Sequence, residues 1–240
     1  MLGALIEGVL DIAYPRQCIG CGKAVVTREL SHFCWDCVAD LDKIVERFCR
    51  LCGDPVDGMV EHEFTCSVCT DSKPHFDLAR SAARHRGSIR KALHSFKYGQ
   101  MTCLTDDFSQ LMVACVNTHY AGFDFDAVTC VPLYPKKERE RSYNQARLLA
   151  RGIAGMAGIR FVPNCLARIR DTPSQTDRTA RQRQQNVRGA FTALNERWIE
   201  GRKILLVDDV MTTGATVNEC ARVLKKAGAF KVCVVTLARG

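Results

Sequence analysis

The sequence has no run of about 18 consecutive apolar residues, the length that a membrane-spanning helix requires. Its first 14 residues are largely apolar, but they include Glu7 and Asp11 and lack the basic stretch that opens a secretory signal peptide. From these two absences we expect a cytoplasmic protein without a membrane span.

Several enzyme motifs are missing as well. The chain has neither a lysine-containing Walker A loop nor a G-x-G-x-x-G fingerprint, which disfavours ATP-driven and dinucleotide chemistry. The pair His62-Glu63 is not followed by a histidine at the spacing of a zinc protease helix. The 240 residues are 47% apolar and 25% charged, which is typical of one medium domain or of a domain plus a small module.

Positive charge is concentrated in one stretch of the chain. The formal net charge is +8, and residues 131–192 hold 13 basic against four acidic residues. Such a field attracts a polyanion such as pyrophosphate, a nucleotide or a nucleic acid, although many basic surfaces serve only solubility.

Eight of the 14 cysteines form four C-x-x-C pairs in the first third of the chain. Two pairs per ion predict two tetrahedral zinc sites, because a two-residue spacer lets both thiolates reach one zinc ion about 2.3 Å away. Crossed pairing stays open, but sequential pairing closes shorter loops. The first site would then take Cys18, Cys21, Cys34 and Cys37, and the second Cys49, Cys52, Cys66 and Cys69.

Three other uses of these cysteines compete with structural zinc. Disulfides need an oxidising compartment, a redox motif is one pair beside a βαβ unit, and iron–sulfur clusters use other spacings. Structural zinc is preferred, because about 70 residues with so little apolar content cannot fold on their own core. Residues 1–72 are therefore predicted to be a helix over 1–14 followed by a double zinc ribbon.

From residue 73 onward, strand and helix patterns alternate. The strand over 203–207 is apolar without alternation, so we expect it to be buried on both faces of a parallel sheet. Residues 73–240 are accordingly predicted to be an α/β domain with a parallel sheet flanked by helices. Strands are predicted over 78–84, 127–131, 203–207 and 230–237, and helices over 87–96, 104–118, 145–157 and 215–227.

The segment 204–216 has the pattern of a binding site. An apolar strand delivers Asp208 and Asp209 at its carboxyl end, where ligands bind in open α/β sheets. Backbone N–H groups, hydroxyls and the dipole of the following helix would form a phosphate cradle there. Two carboxylates beside a phosphate would repel it unless they bind sugar hydroxyls, so a phosphorylated sugar is predicted. The cradle would consist of Thr212, Thr213, Gly214, Ala215 and Thr216, although Thr212 or Thr213 could also serve only as a helix cap.

Residues 204–216 resemble the phosphoribosyl-pyrophosphate loop of type I phosphoribosyltransferases. With the cysteine pairs and three further motifs, essentially the whole chain resembles the ComF family, which joins a zinc ribbon to a type I phosphoribosyltransferase fold. Members of that family are associated with DNA uptake during natural transformation, and some with gluconate utilisation. The further motifs are Phe96-Lys97-Tyr98-Gly99, Arg141-Ser142-Tyr143-Asn144-Gln145 and Asn186-Val187-Arg188-Gly189-Ala190-Phe191.

The resemblance implies a role for each candidate residue. Asp208 and Asp209, the candidate catalytic pair, would hold the ribose 2′ and 3′ hydroxyls, and residues 212–216 would hold the 5′-phosphate. Magnesium would bridge pyrophosphate and ribose and stabilise the negative charge that builds as pyrophosphate leaves. The loop after the strand 127–131 would bind pyrophosphate through Lys136, Lys137, Arg139 and Arg141.

Residues 168–188 resemble the mobile loop that closes over the site in this superfamily, with a disordered surface loop as the alternative. The polar residues of this stretch include Thr172, Gln175, Arg181 and Arg183. The chain departs from the family pattern at Arg178, where leucine is usual, at Ser142 in place of glycine, and at His85-Arg86-Gly87, which lacks the usual aromatic residue.

Two functions follow from these observations. The first is an enzyme that transfers a phosphoribosyl group to an unknown acceptor, whose pocket would come from a variable hood within residues 78–125. The second is a non-catalytic sensor of phosphoribosyl pyrophosphate that binds single-stranded DNA and works with the DNA-uptake machinery. The sequence leaves a homodimer open.

Overall fold

The structure is a computed structural model that describes residues 16–25, 30–58, 63–172 and 180–240. The helix predicted over residues 1–14 lies outside these ranges, and so do Gln175 and Arg178 of the predicted mobile loop. Within them, no helix combines the length and the hydropathy needed to cross a bilayer.

The described strands form one parallel sheet and one small antiparallel pair. In chain order the strands are β1 (Leu78–Arg84), β2 (Ala127–Cys130), β3 (Leu166–Arg168), β4 (Phe191–Ala193), β5 (Lys203–Met211) and β6 (Lys231–Arg239). The parallel sheet has the order β1-β6-β5-β2, and β3 pairs with β4. The parallel sheet predicted from the alternating patterns is confirmed.

Helices connect these strands. In chain order the helices are α1 (Trp35–Ala39), α2 (Ser67–Asp71), α3 (Gly87–Tyr98), α4 (Thr105–His119), α5 (Pro135–Arg141), α6 (Gln145–Ala157), α7 (Ala180–Val187), α8 (Glu196–Ile199) and α9 (Ala215–Lys226). Helix α4 packs on β1 and β6, and α6 packs on α4, β2 and β5. Helix α9 packs on β5 and β6 and contacts α7 and β4. Helices thus flank the sheet, and Leu205 and Leu206 in its centre are fully buried.

Two differences from the sequence-based prediction affect the candidate site. Strand β5 continues to Met211, so Asp208 and Asp209 lie within the strand and not beyond its end. The predicted pyrophosphate loop after β2 is largely the helix α5. Pro135 occupies the first turn of this helix, where proline is favoured, and a left-handed Ser142 with φ of 67° ends it.

The ribbon module pairs with the edge strand of the sheet. In β1, the backbone N–H of Ala79 donates to the carbonyl oxygen of Leu51 at 2.8 Å, and the backbone N–H of Arg84 donates to the carbonyl oxygen of Asp42 at 2.8 Å. Gly53 of the ribbon lies against the backbone of β1: a Cβ at this position would be 2.5 Å from the carbonyl oxygen of Ala79. The φ of Gly53 is +65°, a conformation that also favours glycine. The module therefore covers an edge that would otherwise expose unpaired backbone groups.

A buried carboxylate fastens the first ribbon to the domain behind it. Asp107 of α4 is almost fully buried and accepts hydrogen bonds from the backbone N–H groups of Ser31 and His32, both at 2.8 Å. Because a buried carboxylate needs such donors, this contact fixes the position of the ribbon.

Candidate functional site

The predicted phosphate loop lies between β5 and α9. Gly214 immediately precedes the helix with φ of +75°, and a Cβ there would lie 2.7 Å from the end of the Met211 side chain. Both facts favour glycine at this position. Thr213 Oγ1 accepts a hydrogen bond from the Ala215 N–H at 3.4 Å. The first turn of a helix carries N–H groups without intrahelical partners and the positive end of the dipole, so the loop has the donors of a phosphate site.

The two candidate carboxylates lie within β5, and Val210 and Met211 separate them from this loop. The backbone N–H of Asp209 donates to Asp208 Oδ1 at 2.9 Å, and Asp209 Oδ2 lies 3.1 Å from Lys97 Nζ. The Asp209 side chain is 13% exposed. The pair is therefore preorganised and has only one close cation, Lys97, among the ion pairs of the described residues.

Burial, together with the negative charge of Asp209, raises the pKa of Asp208 from its ordinary 3.8 to about 7. The cations of Lys97 and Arg168 act in the opposite direction. Since the folded protein holds this proton more tightly than the unfolded chain, the contribution to stability is fully present below pH 3.8 and is lost as the pH rises through about 7. A ligand that donates hydroxyl hydrogens favours the ionised form.

Two substitutions should move the pKa of Asp208 in opposite directions. Asp209→Asn removes a neighbouring negative charge and is expected to lower it, whereas Lys97→Met removes a cation and is expected to raise it. Titration of the side-chain carboxyl by ¹³C NMR measures both shifts. A wild-type midpoint near the ordinary value, unmoved in either variant, would contradict this electrostatic description.

The four candidate pyrophosphate residues, Lys136, Lys137, Arg139 and Arg141, all lie on α5. Lys137 Nζ donates to the carbonyl oxygen of Thr172 at 2.6 Å and lies 3.5 Å from Asp171 Oδ1. The guanidinium of Arg141 lies over the ring of Tyr98, 5.2 Å from its centre. Lys136 and Arg139 are exposed. The helix therefore presents two exposed cations, while the other two contact neighbouring segments.

Two motifs that carried the family resemblance contact each other. The Tyr143 hydroxyl donates to the carbonyl oxygen of Phe96, and their rings are 6.0 Å apart. This contact holds the end of α3, from which Lys97 reaches Asp209. The sequence analysis assigned no role to Lys97. The sequence feature that could have pointed to Lys97 is its position between two aromatic residues in the motif that ends at Gly99.

Both ends of the predicted mobile loop are attached to the site. The predicted mobile loop connects the paired strands β3 and β4. Near the start of the loop, Thr172 is buried, and its carbonyl oxygen accepts a hydrogen bond from Lys137 Nζ. At its end, the Gly189 N–H donates to Glu219 Oε1 on α9 at 2.7 Å. Arg181 and Arg183 belong to α7. Residues 173–179 between these attachments are outside the described ranges.

The eight paired cysteines form two clusters with the sequential pairing that closes shorter loops. Within each cluster all four Sγ atoms lie within 4.8 Å of one another. Ligands about 2.3 Å from a tetrahedral zinc ion lie about 3.8 Å apart. The distances from Cys21 Sγ to Cys34 Sγ, 3.5 Å, and from Cys52 Sγ to Cys66 Sγ, 3.7 Å, fit that shell. None of the 14 cysteines forms a disulfide, so both clusters suit structural zinc.

Arg239, at the end of β6, joins the second cluster to the phosphate loop. Its guanidinium donates to the carbonyl oxygens of Met211, at 3.2 Å, and Thr212. The same group lies 3.0 Å from Asp54 Oδ1 and 4.0 Å from Cys52 Sγ. The second ribbon therefore contributes to the position of the loop. The sequence analysis did not single out Arg239, since no motif includes it.

Comparisons with known proteins agree with this two-part organisation. A family model described as a double zinc ribbon domain matches residues 9–71, and one described as a phosphoribosyl transferase domain matches residues 147–240. Together with the parallel sheet, these matches confirm the predicted fold class.

Relatives match most of the chain. Competence protein F of Haemophilus influenzae is 29% identical over 238 residues, which cover 97% of this chain and 94% of that protein. The DNA utilization protein YhgH of Escherichia coli K12 is 28% identical over 194 residues, 80% of this chain and 83% of that protein. Competence protein ComFC of Bacillus subtilis is 28% identical over 217 residues, 86% of this chain and 83% of that protein. The chain therefore combines a double zinc ribbon with a phosphoribosyltransferase domain and is homologous over most of its length to competence protein F, as its resemblance to the ComF family implies.

Proposed function

We propose that the protein binds phosphoribosyl pyrophosphate together with Mg²⁺ and transfers its phosphoribosyl group to an acceptor. One observation carries this proposal: two adjacent carboxylates, Asp208 and Asp209, lie near the end of β5, just ahead of a loop with the donors of a phosphate site. A phosphate alone would be repelled by this pair. A sugar phosphate satisfies both parts, because its hydroxyls donate to carboxylates while its phosphate accepts from N–H groups.

The 5′-phosphate would bind at residues 212–216, at the N-terminus of α9. The ribose hydroxyls would then donate to Asp208 and Asp209, and Lys97 would stay beside Asp209 to balance its charge. Both carboxylates are largely shielded from solvent, which strengthens such hydrogen bonds because little water competes for them.

The pyrophosphate group would lie toward α5, on the β2 side of β5. Lys136 and Arg139 are exposed there and could contact it directly. Mg²⁺ prefers oxygen ligands and is commonly held by one or two carboxylates together with substrate phosphates, and Asp208 and Asp209 fit that description. When bound with the substrate, it would neutralise part of the phosphate charge.

The chain's own residues would orient the transfer. The bond between C1 of the ribose and the pyrophosphate oxygen breaks, and pyrophosphate leaves with the electron pair. The acceptor donates a lone pair to C1 and releases a proton to water. The cations of α5 stabilise the departing negative charge, while Asp208 and Asp209 hold the ring in place.

Calorimetric titration of the zinc-loaded protein with phosphoribosyl pyrophosphate tests the binding step. We expect one site per chain and an affinity at least about tenfold lower when Mg²⁺ is left out of the buffer. Ribose 5-phosphate, which lacks pyrophosphate, should bind more weakly and with little dependence on Mg²⁺. Equal affinities for both sugars, or none for either, would contradict the proposal.

A second candidate function is a sensor of phosphoribosyl pyrophosphate that binds single-stranded DNA without turnover. The net positive charge of residues 131–192 favours it, and relatives carry the names competence protein F and DNA utilization protein. An affinity for single-stranded DNA that falls steeply with salt, without pyrophosphate release, would select this function over the transferase. For either function we propose a division into residues 1–72 and 73–240.

A further inference from the structure

A cavity of ≈ 370 Å³ lies between α9 and the end of α7. Its floor is one face of α9, formed by Asn218, Glu219 and Arg222, and Arg188, the residue after α7, lines it from the other side. Small-molecule sites typically have volumes of about 300–1,000 Å³. Among the described lining residues, only Ala215 also belongs to the predicted phosphate loop, so the cavity is distinct from that loop.

The charged side chains of the lining leave one cation without a counterion. Arg222 and Glu219 form a two-bond ion pair, in which Arg222 Nε donates to Glu219 Oε2 at 2.8 Å and Arg222 Nη2 donates to Glu219 Oε1 at 2.7 Å. Arg188 is exposed, and its guanidinium has no acidic partner among the residues that the structure describes. Because the ion pair is neutral, the lining has a net positive charge, which favours an anionic ligand.

The main chain around Arg188 is held in place from two sides. Its carbonyl oxygen accepts a hydrogen bond from Arg170 Nη2 at 2.7 Å, and the N–H of the next residue, Gly189, donates to Glu219 Oε1 at 2.7 Å. The guanidinium can therefore turn toward a ligand while its backbone stays fixed. A guanidinium binds two oxygen atoms of one phosphate at once, which makes arginine well suited to phosphate groups.

Asn218 adds a neutral donor to this cation. Its Oδ1 accepts a hydrogen bond from the backbone N–H of His75 at 2.6 Å, which orients the amide. Within the described ranges its NH₂ group makes no hydrogen bond, so it remains able to donate to a ligand. Val187 supplies apolar surface on the α7 side. A phosphate would meet the two donors, and an organic group attached to it would lie on the apolar surface.

We propose that this cavity binds a small organic phosphate monoester, whose phosphate is held by Arg188 and Asn218. Since Arg188 is the last residue of the predicted mobile loop, the bound molecule would join the end of that loop to α9 and stabilise its position. The site is separate from the proposed site for phosphoribosyl pyrophosphate and does not depend on it.

Arg188→Gln tests the site, because it removes the unpaired charge and keeps a polar side chain. Arg188 is exposed, so the change should leave the fold intact. Arg151→Gln is the matched control, since Arg151 is also exposed, lies on α6 and does not line the cavity. The thermal midpoint is measured for all three proteins.

The readout is calorimetric binding of AMP, adenosine and inorganic phosphate to the zinc-loaded protein. Phosphoribosyl pyrophosphate and Mg²⁺ are present throughout, so that their proposed site is occupied. We expect one AMP per chain, with adenosine at least about tenfold weaker because it lacks the phosphate. Inorganic phosphate should also bind more weakly than AMP, because it has no organic group. Arg188→Gln should weaken AMP binding at least about tenfold, and Arg151→Gln should leave it unchanged.

Three results would overturn this proposal: no binding of AMP, equal affinities for AMP and adenosine or for AMP and inorganic phosphate, or equal AMP affinities in the two glutamine variants. Failure of the proposed function would be seen differently. The wild type would then not bind phosphoribosyl pyrophosphate, while its binding of AMP would still depend on Arg188.

Discussion

Replacing Asp208 and Asp209 together by asparagine is expected to weaken binding of phosphoribosyl pyrophosphate at least about 100-fold, because hydrogen bonds to charged groups contribute about 1.5–3 kcal/mol each. Asparagine keeps the shape of the side chain but removes the charge, so the loop that follows should keep its conformation. Calorimetry in the presence of Mg²⁺ measures the change directly.

Asp124→Asn is the matched control for this double variant. Asp124 is exposed and lies in the turn before β2, away from the acid pair, so its replacement should leave the affinity unchanged. The thermal midpoint of each protein shows whether the fold is intact. If the double variant bound within threefold of the wild type, the assignment of the acid pair to the ribose hydroxyls would be wrong.

Loss of the second zinc site should have the other large effect. A structural zinc ion contributes about 10–16 kcal/mol of apparent binding free energy to the fold of such a module. Cys49→Ser removes one of its four ligands, so we expect about one zinc ion per chain in place of two and a lower thermal midpoint. Zinc analysis of reduced protein and calorimetric unfolding measure these changes.

The two ribbons should differ in their effect on the site. Cys18→Ser removes a ligand of the first cluster, which is attached to α4 through Asp107, whereas the second cluster contacts Arg239 and through it the phosphate loop. Only Cys49→Ser is therefore expected to weaken binding of phosphoribosyl pyrophosphate. Cys103→Ser, at an exposed cysteine outside both clusters, should keep two zinc ions and full affinity. Two zinc ions in Cys49→Ser, or equal affinity in all three variants, would contradict this account.

Patterns of fixed spacing were predictable from the sequence. Four C-x-x-C pairs indicated two clusters, because ligand spacing is a local property of the chain. The strand, the acid pair and the glycine-containing loop are likewise contiguous, so their order alone predicted a loop between a strand and a helix here, which the structure shows between β5 and α9. These are features in which neighbouring residues supply the geometry.

The end of β5 was predicted four residues too early, because the apolar run stops where Asp208 begins. The strand continues since β6 pairs with it beyond that point, with Asp208 opposite Thr236 and Met211 opposite Arg239. Hydrophobic patterning predicts which residues are buried. It does not predict that a strand continues through charged residues because its backbone pairs with a neighbouring strand.

Contacts between distant segments were beyond prediction from one sequence. Lys97 meets Asp209, and Arg239 meets Cys52 across 187 residues, only after the sheet has formed. No sequence pattern predicts the contact between Lys97 and Asp209 or the contact between Arg239 and Cys52.

A crystal structure of the zinc-loaded protein with phosphoribosyl pyrophosphate and Mg²⁺ tests the central claim most directly. We predict the 5′-phosphate within about 3 Å of N–H groups of residues 212–216, and the ribose hydroxyls within about 3 Å of Asp208 and Asp209 oxygen atoms. Density for the ligand elsewhere, or a loop closed by its own side chains at saturating ligand, would contradict the claim.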